Sequence, residues 1–99
     1  MAFIDRLERN IAKLEKRIQN EHARITKLEE KCEAKKITKA DYNIKRRESD
    51  ERIRGWTSRI STLKGGIVRE KKHLEEKQEE KDKKREEKEK KKERAEKNK

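Results

Sequence analysis

Arg52, Gly55, Arg59, Thr62, Gly66 and Arg69 follow one another at alternating spacings of three and four residues, so they lie on one line along a helix. Lys45 and His73 extend that line at its two ends. An arginine offers a planar fork of N–H donors that matches phosphate oxygens, and a small residue between successive arginines lets a sugar-phosphate backbone come close. Such contacts hold a protein on nucleic acid without reading its sequence. The line has a competing reading as the solvated flank of a coiled coil, with Arg52 and Arg59 paired to Glu15 or Glu21. An acidic protein surface is a third possible counterpart.

The distribution of charge bears on the choice. The chain carries 33 basic and 22 acidic residues in 99, a net +11. Residues 1–34 hold 8 basic and 7 acidic, residues 35–74 hold 13 and 5, and residues 75–99 hold 12 and 10. Solubility alone would not concentrate the excess in the middle segment, because interspersed charge anywhere serves that need. Lys35, Lys36, Lys39, Lys45, Arg46 and Arg47 crowd its first part. Together with Arg52, Arg59 and Arg69 they make nine candidate contacts to a polyanion, with RNA in a ribosome-associated setting favoured over DNA. An anionic membrane surface is the lesser alternative.

Other chemistries lack their parts. There is no Ser/His/Asp or Cys/His grouping, two helices leave no concave pocket, and carboxylates interleaved with Lys and Arg read as surface charge, so no enzyme is expected. His22 and His73 have no second ligand at metal spacing, so neither metal nor cofactor is expected. The single Cys32 reads as a small apolar residue. Trp56 falls on the apolar line and away from the arginines, which makes it a packing anchor before a base-stacking platform. No apolar run reaches the length of a signal-peptide core or membrane span, and the chain reads as cytoplasmic.

The helices that carry these residues follow from the apolar ones. With no Pro and abundant Ala, Glu, Lys, Arg, Leu and Ile, the composition favours long helices. Ile4, Leu7, Ile11, Leu14, Ile18, Ile25 and Leu28 recur at threes and fours over about four heptads, with Glu21 in the one vacant seam position and Cys32 continuing the row. That predicts a first helix over about 3–34. A second row runs through Tyr42, Arg46, Ser49, Ile53, Trp56, Ile60, Leu63 and Ile67, then Glu70 and Leu74, which predicts another over about 39–74.

Between them, Thr38 and Asp41 have the spacing of a capping box, and Ile37 with Tyr42 that of a hydrophobic staple. The stretch LEEKCEAKKITKADY resembles the helix-turn-helix of SHOCT-type short oligomerisation modules, without the glycine usual before the Ile. The stretch is 15 of the 99 residues and implies the turn only. Folding back there pairs Ile18 with Trp56, Leu14 with Ile60, Ile11 with Leu63 and Leu7 with Ile67.

The expected class is therefore all-α: an antiparallel two-helix coiled-coil hairpin over 1–74, with its turn at 35–38, and a Lys/Glu-rich tail over 75–99. The tail is either a solvated helix, supported by Glu–Lys pairs at 79/83, 80/84, 86/90, 87/91 and 93/97, or disordered. Gly65-Gly66 predicts a bend or break in the second helix. One stripe per helix is little to bury, so homodimerisation through the seam is also expected, and the rival to phosphate binding is a coiled-coil adaptor whose charge only keeps it soluble.

Overall fold

Two helices hold nearly all of residues 2–97, the part of the chain that the computed structural model describes: α1 (Ala2–Glu33) and α2 (Lys39–Lys97). Among the described residues there is no strand, and no helix is long and apolar enough to cross a membrane. The residues of α1 that are not exposed are Ile4, Leu7, Ile11, Leu14, Ile18, Glu21, Ile25, Leu28 and Cys32, one unbroken row at threes and fours. Its counterpart on α2 runs from Tyr42 through Arg46, Ser49, Ile53, Trp56, Ile60 and Leu63 to Ile67. Ile11, Leu14 and Ile60 form the buried centre, and Ile18, Trp56, Leu63 and Ile67 pack around it. Contact density separates one unit that ends at Ile67 from a second that begins at Val68.

The turn is built from backbone chemistry. The Lys36 N–H donates to the Lys31 carbonyl at 2.9 Å and the Lys35 N–H to the Cys32 carbonyl at 3.1 Å, the paired bonds that close a helix in a Schellman cap. The cap needs a left-handed residue, and Lys35 takes it with φ 60°. That region crowds any Cβ, which is why glycine usually stands there. Lys35→Gly is expected to stabilise the fold by about 0.5–1 kcal/mol, read as a rise in thermal midpoint; a fall would mean that the cap is not formed in solution.

Thr38 starts α2. Its Oγ1 accepts from the Asp41 N–H at 3.1 Å and its carbonyl from the Tyr42 N–H at 2.9 Å. Among the described residues no bond returns from the Asp41 carboxylate to the Thr38 N–H, so only half of the capping box is present. Asp is one methylene shorter than the usual Glu. Ile37 and Tyr42 are both half-buried.

From there α2 continues as one helix to Lys97, and Gly65-Gly66 does not break it. Glycine weakens helix propensity but, unlike proline, removes no hydrogen-bond donor, so the backbone ladder passes through. The charged segment from residue 75 to 97 is helical; residues 98 and 99 lie outside the described residues. None of the tail pairs 79/83, 80/84, 86/90 and 87/91 is closed as an ion pair, whereas Gln78 Nε2 donates to Asp82 Oδ1 at 3.2 Å. Fully hydrated charges gain little by touching.

Candidate nucleic-acid interface

Helix packing divides the nine candidate cations into two groups. Lys35, Lys36, Lys39, Lys45, Arg47, Arg59 and Arg69 are exposed, and among the described residues none makes a side-chain hydrogen bond or ion pair. Arg46 and Arg52 are engaged inside the protein. Arg46 lies on the seam row, where its Nη1 donates to Glu29 Oε1 at 2.9 Å and its Nε reaches both oxygens of Asp50 at 3.3 and 3.4 Å.

Arg52 is held by a buried carboxylate. Glu21, on the α1 seam, is 3% exposed and accepts three hydrogen bonds on Oε1: from Ser49 Oγ at 2.7 Å, and from Arg52 Nε at 3.1 Å and Nη2 at 2.6 Å. Arg24 Nη1 stands 3.6 Å from its other oxygen. Ser49, 2% exposed, is spent on this contact. Hydrogen bonding from Arg52 holds the Glu21 carboxyl below its ordinary value against the opposing effect of burial, and the same contact raises Arg52. Among the described residues no buried side-chain polar atom lacks a partner.

Of Arg52 and Arg59 on the arginine line, Arg52 pairs with Glu21, whereas Arg59 makes no ion pair among the described residues. Arg52, counted among the phosphate contacts, has two of its donors turned inward, which leaves Nη1 and the exposed edge of the fork. Gly55 has open space around the position of a Cβ, so no packing requirement demands glycine there.

Two surface grooves lie along the pair of helices. One is lined by Arg24, Lys27, Leu28 and Lys31 of α1 and by Lys45, Glu48, Ser49 and Arg52 of α2. The other is lined by Asn10, Lys13, Leu14 and Arg17 of α1 and by Arg59 and Leu63 of α2. Contrary to the expectation from sequence, the two helices leave concave surface, and cations of α1 line it. The near-neutral total over residues 1–34 concealed the α1 cations, and their spacing would have disclosed them. Elsewhere the half-buried Trp56 packs against the core. No group of three or more His, Cys, Asp or Glu residues able to hold a metal occurs among the described residues. No family model, curated protein or solved structure matches the chain.

Proposed function

We propose that this chain is a small basic accessory protein, an antiparallel coiled-coil hairpin with a charged helical extension, that binds nucleic acid through its phosphates. RNA is the favoured ligand and a ribosome-associated assembly the favoured setting. The observation that carries the reading is the excess of 13 basic over 5 acidic residues across 35–74, combined with the exposure of its turn and α2 cations. An exposed cation without an internal partner keeps its full interaction for a phosphate, and each phosphate neutralised releases condensed counterions. Folded RNA offers irregular grooves recognised by shape, which a basic turn between two helices suits. The antiparallel arrangement is supported by the order of the contacts: Glu29 meets Arg46, Glu21 meets Ser49 and Arg52, and Ile11 and Leu14 cluster with Ile60.

The experiment is binding of the 99-residue chain to ribosomal RNA and to duplex DNA across a salt series. Arg47→Gln/Arg59→Gln/Arg69→Gln is compared with wild type, leaving Arg52 intact because its loss would strand Glu21. The expected result is a steep decline of affinity with salt, with the slope reduced by about two to three in the triple variant. Absence of binding at physiological salt would remove the reading in favour of a coiled-coil adaptor.

A further inference from the structure

The two grooves belong to one face. On α1, Arg17, Arg24 and Lys31 stand seven residues apart, and Lys13 and Lys27 lie fourteen apart on the adjoining row. On α2, Lys45, Arg52 and Arg59 stand seven apart. Seven residues are nearly two full turns, with a drift of only about 20° per heptad, so each series keeps to one side of its helix. The groove linings bring the two series together: Arg24 and Lys31 share one groove with Lys45 and Arg52, and Lys13 and Arg17 share the other with Arg59.

Like charges therefore flank like charges along this side of the seam. Coiled coils ordinarily set opposite charges at such flanking positions, and facing cations repel. The opposite flank of α1 carries Glu8, Glu15 and Glu29 on one heptad row, so the two flanks of its seam differ in sign. Between residues 10 and 31 the basic rows of α1 contain only Asn10 and Asn20 besides the cations, and no acid. Across the groove the one exposed carboxylate is Glu48, while the buried Glu21 fastens Arg24 and Arg52 from beneath.

We propose that this two-helix groove seats the sugar-phosphate backbone of an RNA strand, whose charge supplies what the facing cations lack. The inference rests on the phosphate-binding reading above and moves its centre from the outer line of α2 to the groove shared with α1. From Lys13 to Lys31 the cations extend about 27 Å at ~1.5 Å per residue, room for several successive phosphates of one strand. A lipid surface is the poorer fit, because the apolar row of α2 is already packed against α1 and the exposed Phe3, Ile44 and Val68 all fall outside this stretch.

The test separates binding from folding by giving them opposite signs. Arg17→Glu/Lys31→Glu turns repelling pairs into attracting ones, so the free protein is expected to melt at a higher temperature in low salt. The same variant is expected to bind ribosomal RNA at least about tenfold more weakly at 100 mM salt, with a salt slope lower by about two. Lys16→Glu/Arg54→Glu has the same net charge, lies away from both grooves, and is expected to bind within about threefold of wild type. If both variants weaken binding equally, the groove assignment falls while wild-type RNA binding keeps the broader reading. If wild type binds no RNA at any salt, both fall together. Vesicles of phosphatidylserine that retain the protein against excess RNA would also overturn the proposal.

Discussion

Leu14→Ala is expected to cost the helix pair about 2–4 kcal/mol. Leu14 is 5% exposed and sits with Ile11 and Ile60 at the centre of the only buried cluster among the described residues. Truncation removes transfer free energy and leaves a void that a layer two helices thick can only partly close. For a unit of about this size the total is on the order of 3–10 kcal/mol, so one substitution takes a large share of it. Trp56 is the sole tryptophan and packs against that cluster, which makes its fluorescence in a urea titration the direct reporter. Leu14→Met, close in volume, is expected to lose less than about 1.5 kcal/mol, and Ile44→Ala, at a site 56% exposed, about 0.5 or less. Equal losses from Ile44→Ala and Leu14→Ala would show that the packing is not this one.

Glu21→Gln is expected to lower stability by about 1–2 kcal/mol at pH 7, because a neutral acceptor replaces a charged one facing two arginines. The folded carboxyl is held below its ordinary 4.5, first by hydrogen bonding from Arg52. Its stabilisation is therefore complete above that value and disappears as pH falls through the lower folded one. The gap between wild type and Glu21→Gln is thus expected to close in acid, since a protonated glutamate and a glutamine are near equivalents. A gap unchanged between pH 7 and pH 3 would mean that the charge of Glu21 is not what counts.

Removing both buried members of the network is a different matter. Glu21→Leu/Ser49→Ala completes the apolar row, and such replacements are often neutral or stabilising by about 1–4 kcal/mol. What it gives up is discrimination. In a parallel pair of α1 helices, two Glu21 carboxylates would meet in the seam without Arg52 or Ser49, so the native glutamate opposes that pairing. The double variant is accordingly expected to sediment as a heavier species than wild type at equal concentration. An unchanged mass would count against a role for Glu21 in partner choice.

Much of this arrangement is legible along the chain because its signals are short-range. Ile and Leu at threes and fours mark the row that α1 buries, since only one side of a helix can meet a neighbour. Thr38 marks the start of α2 because a hydroxyl three residues ahead of an unpaired N–H is all that a cap needs. The left-handed turn carries no such local mark, for the position that favours glycine is filled by Lys35. Gly65-Gly66 misleads in the other direction: a weak helix former inside a long, otherwise favourable stretch does not stop the helix.

Charge is where local reading ends. Spacing tells how many cations stand on each helix and on which side, but their partners follow from how the two helices pack. Arg52 looks no different from Arg59 along the chain, yet Arg52 finds Glu21 thirty-one residues away, and Arg46, which spacing sets on the seam row, finds Glu29 seventeen away. The same packing sets Lys13 and Arg17 of α1 beside Arg59, and Arg24 and Lys31 beside Lys45. Helical periodicity is a property of neighbours three and four apart, whereas an ion pair or a shared groove depends on two distant segments meeting in one register, which local spacing does not encode.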